Sequence, residues 1–493
     1  MESAYAPRIG VELCFRSVVD SGPMLLNALY LFVLTLLSPW LVWRAWRTGR
    51  YRNGLAAKLL GRVEVPLFPR PLGGRVRVGG KPPADGSGPL PLHTHSTPHP
   101  NPPPQGAREQ EIAWFHGVSV GEIHLLTTVV AAFRKRHPAF HCVISSTTDT
   151  GLAEARARFA DCTVIAWPFD FSWAVANALD AVKPSLVVLA EGEMWPNFLA
   201  AAKRRNIPVA VINARLSPRS FGRYRRIAGL ARRLFLNRVD VIAVQSADYA
   251  ERFQQLGVNH LRVTGSIKYD GAIGDRDTPK GRELARLLLK PGDTVLVAGS
   301  THAPEESLIL DAFRQLRERF PALRLLLVPR HPDRFAEVAV LLAGSDLPFV
   351  RRSQVTEPLA ETPPVVLLDT VGELGAAWGL ADVGYVGGTL DGKRGGQSMI
   401  EPAGYGVPTV FGPHVWNFRD AARRLVEVGG AVMVKDAAGL VPAFTALLED
   451  TAKRTAMGTT ARQFVRDQQG ATAKTLDVLD ELIDHERPPR QAA

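Results

Sequence analysis

A single carboxylate, Glu122, occupies the place in this chain where chemistry is easiest to stage. It ends the stretch Ile112-Ala-Trp-Phe-His-Gly-Val-Ser-Val-Gly-Glu122. Ile112 to His116 is a short apolar and aromatic run, the pattern of a buried strand. A glycine-punctuated turn follows, and Glu122 opens an amphipathic segment to Arg136 with Ile123, Leu126, Val129, Val130 and Phe133 at helical spacing. A carboxylate at the mouth of a strand–loop–helix unit sits where open α/β sheets bind their ligands. There it can accept a proton while the helix amides hold an anion. The alternative reading is a carboxylate that only complements the helix dipole.

A second group of motifs suits a nucleotide-bearing ligand. Pro329-Arg-His-Pro332 ends a strand-like run and offers a guanidinium and an imidazole to a phosphate or base. Thr370-Val-Gly-Glu-Leu374 starts a helix after the run Val365–Leu368. Gly387-Gly-Thr-Leu-Asp-Gly-Lys-Arg-Gly-Gly-Gln-Ser-Met-Ile-Glu-Pro402 carries glycines that let backbone approach a ligand closely. The helix after it would aim its N-terminus at a phosphate, and Glu401 could accept hydrogen bonds from two ribose hydroxyls.

Elements that alternate between strand and helix must position these groups. Strand-like runs fall at Ile112–His116, His141–Ser146, Cys162–Ala166, Ser185–Ala190, Val209–Ile212, Val239–Val244 and Leu261–Thr264. After Asp270 the pattern restarts, with Thr294–Gly299, Leu323–Pro329, Val365–Leu368, Val383–Val386 and Thr409–Phe411. Helical segments lie between them, including one long one over Phe221–Asn237. Near-continuous apolar strands separated by helices imply parallel sheets covered on both faces. The fold class expected is therefore α/β, two doubly wound domains facing a central cleft: 111–272 and 273–486. Neither half carries G-x-G-x-x-G or a Walker lysine loop, against a dinucleotide or NTP hydrolase site.

Upstream, 1–22 reads as an N-terminal tail and 23–46 as a membrane anchor helix. Pro23–Trp43 is almost wholly apolar and roughly long enough for a bilayer core. Arg44, Arg47, Arg50 and Arg52 follow it, beside Trp40, Trp43 and Trp46, which places the bulk of the chain on the cytoplasmic face. Pro39 leaves an interface-lying helix as a variant. Residues 63–110, rich in proline and glycine, read as a disordered linker. His93, His95 and His99 lie within it, without a packed shell to make them a metal site.

The 493 residues carry a formal charge of +11, which argues for an anionic partner such as phospholipid headgroups or a phosphorylated substrate. Arg215, Arg219, Arg223, Arg225, Arg226, Arg232, Arg233 and Arg238 concentrate that charge. No aromatic-interleaved platform supports nucleic acid as the partner. Three cysteines without C-x-x-C spacing argue against a disulfide framework and a zinc site, and fit a reducing compartment.

Taken in order, these motifs resemble the 3-deoxy-D-manno-octulosonic acid (Kdo) transferase family, which glycosylates the lipid A precursor at the bacterial inner membrane. The likeness rests on Ser119-Val-Gly-Glu122, Glu191-Gly-Glu-Met-Trp-Pro-Asn197, Asn213-Ala-Arg-Leu-Ser217, Thr264-Gly-Ser-Ile-Lys-Tyr-Asp270, Pro329-Arg-His-Pro332, Gly372-Glu-Leu374, Gly387–Pro402 and Gly412-Pro-His-Val-Trp-Asn-Phe418. The resemblance implies a GT-B fold and a metal-independent, cofactor-free, inverting transfer of Kdo from CMP-Kdo to lipid IVA. It makes Glu122 the general base, and Glu191 and Lys268 supports of the transition state. It places Pro329, Arg330, Val371, Gly372, Glu373, Ser398, Met399, Ile400 and Glu401 at CMP-binding positions. It also implies an enzyme anchored on the inner membrane, its catalytic domains in the cytoplasm against an anionic surface. Gly395-Gly-Gln-Ser-Met-Ile-Glu401 departs from the family's usual Gly-Gly-His-Asn-Pro-Leu-Glu, and Gln397 cannot carry charge as histidine can. Two rival expectations are a GT-B transferase or epimerase using a UDP-linked sugar, and a non-catalytic, membrane-tethered glycolipid-binding scaffold.

Overall fold

Among the described residues, fourteen short strands, most of them buried on both faces, build two seven-stranded sheets in the computed structural model of the chain. The structure describes residues 111–486, 55–63 and scattered positions between 24 and 38. The first sheet contains β1 (Ile112–His116), β2 (His141–Ser146), β3 (Thr163–Ala166), β4 (Leu186–Ala190), β5 (Val209–Ala214), β6 (Val241–Val244) and β7 (Leu261–Val263). Its order is β3-β2-β1-β4-β5-β6-β7. β1 lies parallel to both β2 and β4, with Ile112 opposite His141 and Ala113 opposite Leu186. Apolar side chains on both faces of the strands suit a sheet sandwiched between helices. Trp114, Phe115, Leu186, Val187, Val188 and Leu189 are all fully buried.

The second sheet contains β8 (Thr294–Thr301), β9 (Leu323–Pro329), β10 (Phe349–Arg351), β11 (Val365–Leu367), β12 (Val383–Val386), β13 (Thr409–Phe411) and β14 (Ala431–Met433). Its order is β10-β11-β9-β8-β12-β13-β14, and every neighbouring pair is parallel. Both sheets are doubly wound. The direction of winding reverses between β1 and β4 in the first and between β8 and β12 in the second. Such reversals open a crevice at the carboxyl ends of the strands, where ligands bind.

Two compact units result. One comprises 1–242, 252–261 and 479–493; the other comprises 243–251 and 262–478. The last helix, Ala471–Glu486, starts in the second unit's span and ends in the first's. Gly470 and Ala471 at its start donate to Asp270 Oδ1 at 2.8 and 3.3 Å.

Some expected elements differ. Phe221–Asn237 is not one helix: Pro218–Arg226 and Ala228–Leu234 meet at Ile227, and a 3-10 turn covers Leu236–Arg238. The first of these buries no residue, so tertiary packing does nothing to hold a longer helix together there. The two edge strands β10 and β14 were not expected. Each is only three residues long, too short to show the sustained apolar run of a central strand, and Ala431 is the one buried residue in the pair. Among the described residues, no helix is long and apolar enough to cross a membrane. The anchor expected at 23–46 lies largely outside the described residues, as do the tail 1–22 and almost all of the linker 63–110 with its histidines. What is described of the anchor region docks by polar contacts. Tyr30 donates to Asp170 Oδ2 at 3.0 Å, and Asn27 bonds Ser172 Oγ at 2.7 Å and accepts from Asn197 at 3.2 Å.

Candidate active site

Glu122 sits one turn into the helix Val120–Arg136, directly after β1 and therefore beside the reversal of the first sheet. Ser119 caps that helix: its Oγ accepts from the Glu122 amide at 3.3 Å and donates to Glu122 Oε1 at 3.1 Å. Glu122 Oε2 accepts from the Val118 amide at 2.7 Å. This is a variant of the Ser-x-x-Glu capping box in which the carboxylate reaches the amide one residue before the cap, so the carboxylate that could do chemistry also shapes the loop carrying it. Gly117 is needed for the turn, because a side chain there would meet Glu122 Cβ at 3.1 Å and Leu126 Cδ1 at 3.2 Å.

Burial raises the Glu122 carboxyl above its ordinary value, and the nearby charges of Glu191 and Glu193 push the same way. The Val118 amide and the Ser119 hydroxyl oppose that push without overcoming it. A carboxylate with increased proton affinity is a better general base at neutral pH. His116, in the same motif, cannot share the task. Burial holds its pKa down to about 3, and its ring stacks on Trp167 with centroids 3.8 Å apart.

Glu191 follows β4, the strand across the reversal from β1. Its φ is +62°, and Asn213 at the end of the adjacent β5 has φ +53°. Two non-glycine residues in left-handed backbone on neighbouring strand ends are a costly arrangement that clusters at functional sites. Asn213 Nδ2 donates to Glu191 Oε1 at 3.4 Å, and Arg215 pairs with Glu191 Oε2 at 3.1 Å. Thus Glu122 and Glu191 are brought together within one unit, each held by its own polar partners.

Lys268 belongs to the second unit, in the 3-10 turn Ile267–Tyr269 that precedes Asp270. Its ammonium lies 5.6 Å from the centroid of the Phe418 ring. The proposed nucleotide residues all lie in that unit too. Pro329 ends β9, and Arg330 donates its backbone N–H to Thr301 at 3.0 Å and its side-chain Nε–H to Gln397 Oε1 at 3.3 Å. Ser398 and Met399 lead into the five-residue helix Ile400–Gly404, which contains Glu401. Surrounding protein raises the Glu401 carboxyl, against the pull of Arg330. Val371 is exposed, and Gly372 has φ +82°. Glu373 is engaged internally: it is buried, pairs with Arg352 at 3.3 Å and accepts from the Thr370 hydroxyl. Its carboxylate therefore supports the loop, and Val371-Gly372 presents the open backbone.

Two residues that organise this half-site, Glu305 and His302, belong to none of the motifs legible in the sequence. Glu305, fully buried at the start of the helix Glu305–Arg319, accepts from the amides of Gly388, Thr389 and Leu390 at 2.6, 2.8 and 3.1 Å, and from Tyr385 at 2.8 Å. It thereby fixes the glycine-rich loop that follows β12. His302, after β8, contacts Arg394 and Gln397 at 3.2 Å each. The available signal was position: both follow the carboxyl end of a strand at the winding reversal. Among the described residues, no group of three or more metal-ligating side chains is arranged to hold a metal ion. Cys142 and Cys162 are free thiols.

Residues 94–271 match the family model described as 3-Deoxy-D-manno-octulosonic-acid transferase (kdotransferase). A 3-deoxy-D-manno-octulosonic acid transferase of Haemophilus influenzae is 35% identical over 78% of this chain and 88% of its own length. One from Bordetella pertussis is also 35% identical, over 75% of this chain and 87% of its own. The chain belongs to this transferase family. It is accordingly an enzyme, and a glycosyltransferase. A UDP-N-acetylglucosamine 2-epimerase structure, 14% identical, aligns with a TM-score of 0.51 over 78% of this chain and 99% of the other. At that identity the likeness shows the fold alone: two parallel-sheet α/β domains of the kind that GT-B glycosyltransferases share. The basic tract divides within the fold of this transferase. Arg215 and Arg238 are engaged, by Glu191 and by the Pro196 carbonyl at 2.9 Å, whereas Arg219, Arg223, Arg225 and Arg226 lie on the helix that buries nothing.

Proposed function

We propose that the chain transfers Kdo from CMP-Kdo to lipid IVA, with inversion at the anomeric carbon, at the cytoplasmic face of the inner membrane. The observation that carries the reading is Glu122: a carboxylate of raised proton affinity at a sheet reversal, beside Glu191, in a chain of this family. In the GT-B arrangement proposed here, the second domain holds the donor and the first supplies the base. Glu122 takes the proton of an acceptor hydroxyl as that oxygen attacks the anomeric carbon. The bond from that carbon to the phosphate oxygen breaks on the opposite face, and CMP departs with the bonding pair.

Glu191 acts in two ways in this proposal. Its charge strengthens Glu122 as a base, and it stabilises positive character that develops on the sugar. Lys268 offsets charge on the departing phosphate, so the scheme requires no divalent ion. Arg330, the Val371-Gly372 backbone, Ser398, Met399, Ile400 and Glu401 hold the CMP moiety. The exposed arginines of Pro218–Arg226 suit acceptor phosphates and anionic headgroups, and the 23–46 segment supplies the membrane tether. Incubating the full chain with CMP-Kdo and lipid IVA tests the reading. It predicts acceptor-dependent release of CMP and a product heavier by whole Kdo residues. Absence of both, with the substrates intact, would refute it.

A further inference from the structure

Three side chains converge above Gly388 in the second unit, a fourth, Arg330, joins them through Gln397, and their hydrogen-bonding capacities do not balance. A side chain at Gly388, whose φ is +72°, would start 3.4 Å from Arg394 Cβ, 3.4 Å from His302 Cδ2 and 3.6 Å from Gln397 Cγ. Gln397 Oε1 accepts from Arg330 Nε at 3.3 Å, and the amide nitrogen on its other side faces His302 Nε2 at 3.2 Å. His302 Nδ1 faces Arg394 Nη1 at 3.2 Å. Burial, helped by Arg394, His331 and Arg334, holds the His302 pKa down to about 4, so the ring is neutral at pH 7 and offers one lone pair.

Arg394 and the Gln397 amide nitrogen both address that one lone pair. Turning the Gln397 amide over moves the conflict without removing it, because its nitrogen then meets the Arg330 Nε–H. The cluster therefore presents more N–H groups than acceptors, which is the condition of a site built around anionic oxygen.

We propose that His302 and Arg394 hold the donor's second anionic group, the carboxylate of its sugar, next to the phosphate held by Arg330. This rests on the CMP-Kdo reading above. In that donor the carboxylate and the phosphate oxygen are bonded to the same carbon, so two anions must be received side by side. Gln397 provides the spacing. By engaging Arg330 Nε it leaves the two terminal nitrogens of that guanidinium as a fork for phosphate, while Arg394 and His302 lie on its other side. The Asp391 carboxylate, 3.7 Å from Arg394 Nε, engages the opposite edge of that guanidinium. A carboxylate received here is oriented by two groups, His302 and Arg394, which restricts the rotation of the sugar about its anomeric bond.

The test uses two variants of the full chain, Arg394→Gln and His302→Asn, the first at an exposed position. The KM for CMP-Kdo and the inhibition constant of CMP are measured for each, with the melting temperature as a control. Loss of a charge-assisted hydrogen bond should raise the KM for CMP-Kdo about ten- to a hundredfold in Arg394→Gln. The inhibition constant of CMP, which lacks the carboxylate, should stay within about twofold in a cluster devoted to the sugar. If CMP weakens in parallel, the cluster grips phosphate and the carboxylate assignment falls. If neither constant moves in either variant, the cluster does not touch the donor at all. A wild-type chain indifferent to CMP would overturn the donor reading itself, and this inference with it.

Discussion

Replacing Glu305 by glutamine puts a number on the part of the fold that shapes the donor site. The carboxylate receives five N–H or O–H groups: Tyr385, Thr389 and Leu390 on Oε1, Gly388 and the His302 amide on Oε2. Glutamine is nearly the same size but keeps one acceptor oxygen and presents an NH2 on the other side. With the oxygen at the Oε1 position, the amides of Gly388 and His302 lose their acceptor. With the amide reversed, Thr389 and Leu390 lose theirs, while the Tyr385 hydroxyl can rotate to accept. Two backbone N–H groups are stranded in either case. Each unsatisfied buried donor costs about 1–3 kcal/mol, so Glu305→Gln should destabilise the second unit by about 2–6 kcal/mol. Urea unfolding measures the loss, and hydrogen exchange at Gly388, Thr389 and Leu390 locates it. A change below about 0.5 kcal/mol, the range of ordinary surface substitutions, with those amides still protected would refute the reasoning.

Transfer should fall as pH drops, because only ionised Glu122 can accept the proton. Since burial and neighbouring carboxylates raise its pKa, the acid limb of the kcat profile should lie above that of an ordinary glutamate. Glu193→Gln removes one of those charges and should move the limb to lower pH; an unmoved limb would show that Glu122 is not the titrating group. Ser119→Ala should act in the opposite direction. It removes a hydrogen bond to the charged form, so the limb moves to higher pH, and loss of the N-cap should lower stability by about 1 kcal/mol in thermal or urea unfolding.

The parallel sheets were legible because their strands are buried on both faces. Runs such as Leu186–Ala190 and Leu323–Pro329 read as strands without reference to any partner. Of the three-residue edge strands, β7 was legible as part of the run Leu261–Thr264, whereas β10 and β14 were not and owe their existence to the neighbours they pair with. Ser119 and Glu122 carried the capping-box spacing in plain sight, but only the folded structure shows that one carboxylate serves the helix cap and also feels the charge of Glu191. The strained pair Glu191 and Asn213 lies 22 residues apart in the chain. Their juxtaposition is a product of sheet order, which apolar periodicity does not encode. The same holds for His302 and Gln397, 95 residues apart and meeting only because β8 and β12 are neighbours. Glu373 shows the converse: a motif position whose side chain the fold uses internally.

Single-turnover transfer of Kdo by Glu122→Gln is the most direct test of the central claim. Glutamine can still accept from the Val118 amide and donate to Ser119, so the cap and the fold should persist, as circular dichroism and the melting temperature would report. Loss of a general base is expected to slow the chemical step about 10²- to 10⁴-fold while CMP binding stays unchanged. Transfer at the wild-type rate by a folded Glu122→Gln chain would contradict the account.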